Sequence, residues 1–375
     1  MKLQNRKHVF FLSLTLVIAA RFAYLILALL WNRVASGDAS LFTLLFQWDA
    51  GWYQELIEGG YALEPHGHPR GDAANWAFFP LYPLMVRFLM RVIPLPTEQM
   101  GPLISSFLHV LLIYSSIQYI RLTRNEEASA FTLALLLAFG PYTFYYASLY
   151  TESLYSLLVV VSLILLAKDK WVPAGITGAF LSATRPTGVI LCLPALIRML
   201  RSHRQQHGRL FTFPFALIKD PEKFLGLLLI PAGLFAYMTF LYFHTGDSLA
   251  FSRIQLAWGR TNGNPLGVLL SGFFTSKSAF YLAAWGLLGL VAACYLFRQK
   301  RYEEATFGLV TLLIPMASSL MGLPRYFLGS LVLVFACNDL LQRFSPLLRR
   351  AALASLMILN ATLLFLWFAG HPLMI

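Results

Sequence analysis

Apolar segments long enough to cross a lipid bilayer recur along almost the whole chain. The first runs from Val9 to Trp31, and one crossing needs about 20 apolar residues. The 375 residues are 58% hydrophobic and 12% charged, with a mean hydropathy of +0.64, which lies outside the range of soluble domains. Backbone groups inside a bilayer must be hydrogen-bonded internally, and segments of this length achieve that as helices. The sequence therefore predicts an all-α, polytopic membrane protein.

Ten further apolar segments follow the first, so we expect eleven transmembrane helices in a single domain over residues 1–375. They lie at about 103–120, 129–147, 152–167, 172–184, 187–201, 224–244, 279–297, 305–322, 326–342 and 350–369. Segment 77–93 is apolar too, but Arg87 and Arg91 share one face of it and two prolines stand near its start. We therefore predict an interfacial helix there.

The basic residues predict the orientation of these spans. With the N-terminus in the cytoplasm, 19 of the 29 Lys and Arg residues fall on the cytoplasmic side, as the positive-inside rule requires. Residues 32–102 then form an outer loop with interfacial helices. Topology also accounts for the net charge of +12, because the basic residues lie between apolar runs and are not gathered on a nucleic-acid-binding module. No nucleic-acid partner is expected.

Asp49 is the leading candidate for a catalytic residue. It lies between large aromatic residues just after the first span, and residues 50–58 have the pattern of an amphipathic helix that Gly59-Gly60 would end. At headgroup depth a carboxylate can meet both a lipid-borne substrate and water. The alternative is that Asp49 only caps this helix. The aromatic residues around it, assigned to substrate binding, are Trp48, Trp52 and Tyr53.

A second set of charged residues lies at other outer turns. Glu152 begins an otherwise apolar helix, where an ionisable residue is a functional candidate by default; the alternative is a solvated helix start capped by Thr151. Arginines suit bidentate phosphate binding, although each could instead extend to lipid headgroups. The arginines concerned, with the tyrosine that follows the last of them, are Arg185, Arg260, Arg325 and Tyr326.

Other residues give weaker signals. His66 and His68 flank a glycine without a third ligand in sight, so neither a metal site nor a cofactor is expected. Trp258 closes a helix predicted over residues 246–260, as a core aromatic or as a platform for a sugar ring.

Six segments occur in the order typical of one enzyme family: QWDAGWY, AFFPLYPLMVR, YTESLYSLL, ATRPTG, GDSLAFSRIQLAWGR and LPRYFLG. On these segments the chain resembles the PIG-V family of glycosylphosphatidylinositol mannosyltransferases and their bacterial relatives. The resemblance implies a GT-C glycosyltransferase fold, mannose transfer from a polyprenyl-phosphate-linked donor to a lipid or glycan acceptor, and catalysis on the non-cytoplasmic face. The family's catalytic base corresponds to Asp49. Eukaryotic members typically carry His where this chain has Trp52, which fits the bacterial relatives.

A flippase or transporter of lipid-linked sugars is the alternative function. It would also have many spans, buried arginines and an outer acidic site. Transporters commonly show inverted repeats, and no convincing repeat is present in this sequence, so the sequence favours an enzyme.

Overall fold

The computed structural model describes residues 6–67, 72–124, 127–207, 213–261 and 263–374. Within these ranges every regular element is a helix, and the only strand-like pairing is an isolated bridge between His66 and Ala73. The all-α prediction is confirmed.

Nineteen α-helices are present in the described ranges. The first nine are α1 (Arg6–Ala35), α2 (Leu41–Leu45), α3 (Ala50–Glu58), α4 (Leu81–Met90), α5 (Thr97–Arg124), α6 (Glu127–Phe139), α7 (Glu152–Ala167), α8 (Trp171–Thr184) and α9 (Cys192–His207). The next five are α10 (Phe213–Lys219), α11 (Pro221–Leu229), α12 (Ala232–Thr245), α13 (Ala250–Arg253) and α14 (Pro265–Thr275). The last five are α15 (Lys277–Arg298), α16 (Tyr302–Met316), α17 (Leu323–Gly329), α18 (Val332–Gln342) and α19 (Pro346–Phe368).

Four of these helices, α1, α5, α15 and α19, are long and apolar enough to cross a membrane. Two bent pairs, α11 with α12 at 44° and α17 with α18 at 80°, raise the number to six if each pair is one span. The expected count of eleven is therefore not confirmed. Several expected spans are helical but short, such as α6 with 13 residues and α8 with 14, whereas a full crossing takes about 20.

The short helix α7 is enclosed by other helices. It packs against α5, α8 and α17, and most of its side chains are buried. On its far side α8 approaches α11 so closely that a Cβ added at Gly175 would lie 2.3 Å from the carbonyl oxygen of Gly226. A glycine is required there because no larger residue fits without moving the backbone.

Of the three helices predicted outside the spans, one has the predicted bounds and two are shorter than predicted. α3 begins at Ala50 and ends at Glu58, as predicted, and buries Tyr53, Leu56 and Ile57. α4 has ten residues and a length of about 15 Å, too short for a crossing. The helix expected over 246–260 is reduced to α13 and a 3₁₀ turn at Ile254–Trp258, which ends where Gly259 adopts a φ of 67°.

Asn75 joins the parts of this loop. Its side chain is fully buried and donates to Glu55 Oε1 and to the carbonyl oxygen of Gly60, both at 3.0 Å. Its Oδ1 accepts from the backbone N–H of Ala62 at 3.0 Å. These bonds hold the chain after α3 against the residues that lead into α4.

Residues 140–151, between α6 and α7, form an irregular buried segment. The segment was expected to continue a span over 129–147, but α6 ends at Phe139, and Tyr142 follows in a left-handed conformation with φ of 68°. A 3₁₀ turn over Thr143–Ala147 comes next, and all of its side chains are buried. The segment leads directly to the buried start of α7 at Glu152.

Candidate active site

Asp49 pairs with Arg325, which lies 276 residues further along the chain. The Nη1 atom of Arg325 donates to Asp49 Oδ2 at 2.6 Å. Asp49 occupies the N-cap position of α3, but its side chain makes no capping hydrogen bond. The capping interpretation is therefore wrong, since the carboxylate is used in an ion pair instead.

Glu152 is completely buried at the start of α7. Its Oε1 atom contacts Nη2 of Arg185 and lies 2.9 Å from Nε of Arg325. Thr151 does not cap α7, because its hydroxyl accepts a hydrogen bond from Nε of Arg185 at 2.8 Å. The interpretation of Glu152 as a solvated helix start is wrong, because the side chain has no solvent exposure and two guanidinium groups compensate its charge.

Aromatic rings surround the guanidinium group of Arg325. Its centre lies 5.3 Å from the ring centroid of Tyr150, 5.8 Å from that of Tyr145 and 6.0 Å from that of Tyr326. Distances of this size allow cation–π attraction, which strengthens when the cation is removed from water. The rings thus fix the arginine between the two carboxylates.

Arg260 reaches the same group of residues through Tyr326, whose hydroxyl accepts from Arg260 Nη1 at 3.1 Å. None of the described carboxylates forms an ion pair with Arg260. The sequence-predicted Arg185, Arg260, Arg325 and Tyr326 thus lie together with Asp49 and Glu152. Three arginines against two carboxylates leave one excess positive charge.

The backbone at Trp48, immediately before Asp49, is strained. Trp48 has a φ of 55°, which is rare for a residue with a bulky side chain. The hydroxyl of Tyr150 spans this turn: it accepts from the Asp49 N–H at 3.0 Å and donates to the Gln47 carbonyl oxygen at 2.9 Å. Strain of this kind persists only where surrounding contacts enforce it, and it concentrates at functional sites. Tyr150 therefore holds the backbone that presents Asp49.

Two predicted aromatic residues line the neighbouring surface of α3. Trp52 stacks on Phe78 with ring centroids 6.1 Å apart and meets Trp258 edge-on at 5.5 Å. Tyr53 is buried between Phe78 and Tyr150, and burial raises the pKa of Tyr53 to about 12. Its hydroxyl, which is protonated at neutral pH as in an ordinary tyrosine, can donate a hydrogen bond.

Other acidic and histidine residues outside the long apolar helices have different partners. Glu58 accepts from Thr97 at 2.7 Å, and Asp247 pairs with Arg253 at 3.0 Å. His66 lies 4.0 Å from Glu55, while His68 is outside the described residues. Among the residues that the structure describes, no group of three or more His, Cys, Asp or Glu side chains could hold a metal ion.

The sequence analysis missed the tyrosines of segment 140–151. Tyr145 and Tyr150 contact Arg325, and Tyr155, one turn into α7, lies 5.4 Å from the guanidinium centre of Arg185. Five tyrosines between residues 142 and 155 were the available signal. Tyrosine combines an apolar ring with a hydrogen-bonding hydroxyl, so its clustering beside a buried acid marks a polar site.

The sequence profile described as "Mannosyltransferase (PIG-V)" matches residues 27–243, which is more than half of the chain. The chain belongs to the PIG-V mannosyltransferase family. The matched region includes Asp49, Glu152 and Arg185 of the site. A curated relative, GPI mannosyltransferase 2 of Schizosaccharomyces pombe, is 25% identical over 171 residues, covering 43% of this chain and 34% of the relative.

A solved structure shows a similar fold. The oligosaccharyltransferase of Archaeoglobus fulgidus in the apo form matches with a TM-score of 0.52 and 14% sequence identity. The match covers 100% of this chain and 55% of the oligosaccharyltransferase, so the chain spans about half of that protein. At this identity the likeness concerns the fold alone, and it agrees with the GT-C fold that the PIG-V resemblance implies.

Proposed function

We propose that this PIG-V family member is a membrane glycosyltransferase that moves mannose from a polyprenyl-phosphate donor to a hydroxyl group of a lipid or glycan acceptor on the non-cytoplasmic face. Family membership and the GT-C-like fold support the class of reaction. The distribution of basic residues supports the face, because it assigns Asp49 and its loop to the outer side.

The ion pair between Asp49 and Arg325 carries the proposal. Arg325 holds Oδ2 of the carboxylate, whereas Oδ1 has no hydrogen-bond partner among the described residues. The Asp49 side chain is 22% exposed, so a substrate can reach it. A fixed carboxylate with one unoccupied oxygen is what a general base for an acceptor hydroxyl requires.

The proposed reaction proceeds by direct displacement. Asp49 Oδ1 takes the proton of the acceptor hydroxyl while the acceptor oxygen forms a bond to C1 of the mannose. The bond from C1 to the phosphate oxygen breaks, and the electron pair leaves with the polyprenyl phosphate. The charge on that phosphate grows from one negative charge towards two, and a positively charged site stabilises this change.

The charges of the site suit this donor. Asp49 and Glu152 balance two of the three arginines, and the remaining positive charge matches the single negative charge of a sugar phosphodiester. Among the described residues Arg260 donates a hydrogen bond to the Tyr326 hydroxyl and pairs with no carboxylate, so a donor phosphate can engage its guanidinium group without displacing an acidic partner. Trp52 and Trp258 provide aromatic surface beside the base, where a sugar or lipid group of the acceptor can pack.

The test is transfer of labelled mannose from polyprenyl phosphate to cell lipids by purified Asp49→Asn protein, followed by thin-layer separation. Asn keeps the size of the side chain and an oxygen that can accept from Arg325, and no capping bond is lost, so the protein should keep its fold, which size-exclusion chromatography verifies. We expect transfer to fall roughly 100- to 10,000-fold, the usual contribution of a general base. Asp38→Asn, at an exposed acid of the same loop, is the matched control and should transfer at the wild-type rate. An Asp49→Asn enzyme as fast as the wild type would refute the proposal.

Transport of a lipid-linked sugar is the second candidate function. The two helix pairs bent by 44° and 80° favour it, because interrupted helices at membrane depth are common in transporters. Sealed vesicles that contain purified protein and fluorescent lipid-linked sugar separate the two functions. Movement of the intact lipid without any glycosylated product would support the transporter and contradict the enzyme.

A further inference from the structure

Arg21 is a charged residue near the middle of α1. This helix is one of the four that are long and apolar enough to cross a membrane. Within the apolar run from Val9 to Trp31, Arg21 lies at least about 15 Å from either end at 1.5 Å per residue. That distance is too great for its side chain to extend to the headgroups, as basic residues near helix ends do. Interaction with lipid headgroups therefore does not explain Arg21.

The side chain of Arg21 binds neutral partners on neighbouring elements. Its Nε donates to the Ser106 hydroxyl at 2.8 Å, and its Nη2 donates to the Tyr146 carbonyl oxygen at 2.9 Å and to His109 Nδ1 at 3.0 Å. No carboxylate among the described residues pairs with it, and its buried Nη1 has no hydrogen-bond partner there. An uncompensated charge inside a membrane is costly and is retained for function by default.

The contact with Arg21 determines the hydrogen position on His109. Arginine has no acceptor, so His109 Nδ1 must accept, and the ring hydrogen lies on Nε2. Nε2 then donates to the Leu137 carbonyl oxygen at 3.0 Å, which satisfies a group in the last turn of α6. The fully buried His109 ring also packs against Tyr146 at 4.7 Å. Arg21 and His109 together tie α1, α5 and α6 to segment 140–151.

A second residue of α1 holds the same segment. The hydroxyl of Tyr24, three residues after Arg21, forms a hydrogen bond of 2.9 Å with the Thr143 hydroxyl. The guanidinium centre of Arg21 lies 5.5 Å from the Tyr24 ring. Two residues of α1 therefore hold segment 140–151 in place. Tyr145 and Tyr150 of the same segment contact Arg325 of the active site.

We propose that Arg21 is a positioning residue that fixes segment 140–151 and, through Tyr150, the backbone of Asp49. The chain of contacts runs from Arg21 to the Tyr146 carbonyl and along the segment to Tyr150, whose hydroxyl binds the Asp49 N–H. The catalytic part of this inference rests on the proposed function, while its structural part does not. Non-helical backbone within a membrane protein needs such internal partners for its polar groups.

Hydrogen exchange of the purified protein tests the structural part. Arg21→Met keeps an unbranched side chain and removes all donors, and the loss of a charge from α1 favours membrane insertion. We expect amides of residues 142–151 to lose protection in Arg21→Met. They should keep it in Arg33→Gln, the matched control at an exposed arginine of the same helix. Unchanged protection in Arg21→Met would overturn the inference.

Mannose transfer tests the catalytic part. Arg21→Met should lower kcat roughly 10- to 100-fold, the effect of a small misplacement of the base, with little change in the KM for the donor. In an Asp49→Asn background the same substitution should have almost no further effect, because the group it positions is already lost. A full additional loss there would overturn the inference. If the wild-type protein transfers no mannose, the proposed function fails, while hydrogen exchange still decides the role of Arg21.

Discussion

Arg325→Lys removes the geometry of the central arginine and keeps its charge. Arg325 uses two different nitrogens, Nη1 at 2.6 Å from Asp49 and Nε at 2.9 Å from Glu152. Lysine has a single nitrogen on a flexible chain and cannot hold two carboxylates in the same arrangement. Glu152 keeps its contact with Arg185, so Asp49 is the carboxylate that depends on Arg325.

The loss can be estimated from the contact with Asp49. A hydrogen bond to a charged group contributes roughly 1.5–3 kcal/mol, and each 1.4 kcal/mol corresponds to about a factor of ten. If the bond is lost when Lys replaces Arg, transfer should fall roughly 10- to 100-fold. Arg325→Ala should be worse, because it removes one partner of a largely buried pair at a cost of roughly 3–5 kcal/mol, and the protein should lose stability as well.

The assay is initial-rate mannose transfer with donor concentration varied, on protein whose folding is verified by size-exclusion chromatography. Arg253→Lys is the matched control, since Arg253 forms an ion pair with Asp247 and is 70% exposed. Exposed pairs contribute roughly 0–1 kcal/mol, so this variant should stay within about fivefold of the wild type. Arg185→Lys separates the two acids, because Arg185 contacts Thr151 and Glu152 and not Asp49. A folded Arg325→Lys enzyme that works at the wild-type rate would refute the central role of the Asp49–Arg325 pair. An Arg185→Lys enzyme that is clearly slower than the Arg325→Lys enzyme would refute it too.

The remaining predictions concern the support of the site and its orientation. Tyr150→Phe removes the hydroxyl that spans the strained Trp48 turn, so transfer should fall roughly tenfold or more through misplacement of Asp49, in the same assay; an unchanged rate would show that the turn holds itself. Asn75→Ala removes three buried hydrogen bonds, which should lower the free energy of unfolding by roughly 1–3 kcal/mol. The thermal midpoint of the purified protein should therefore fall by several degrees, and an unchanged midpoint would contradict this prediction. In a cysteine-free background, Glu64→Cys should react with an impermeant thiol reagent in intact cells and Lys168→Cys should not. Both positions are exposed. The reverse labelling would therefore place the active site on the cytoplasmic face.

Local features of the sequence predicted local structure well. α3 has the predicted bounds because two glycines follow a short amphipathic pattern, and such signals act within a few residues. The number of spans was harder to predict, because an apolar run of 13 to 16 residues can equally be a full span or a helix enclosed by other helices. α7 is buried by its partners α5, α8 and α17, and nothing within its own residues predicts that burial.

The site itself shows why residue types could be predicted and their pairing could not. Charged residues at the ends of apolar segments in a membrane protein are functional candidates, and arginines suit phosphate binding, which identified Asp49, Glu152 and the three arginines. Which arginine meets which acid depends on the packing of α17 against α7, and that packing brings Arg325 to both acids at once while Arg185 reaches only Glu152. The capping role considered for Asp49 was wrong for the same reason. A local sequence pattern predicts a partner nearby in the chain, whereas the partner of this carboxylate lies 276 residues away. The ion pair with Arg325, and not the cap that its position offers, therefore sets the orientation of the Asp49 side chain, and Oδ1 keeps no hydrogen-bond partner among the described residues.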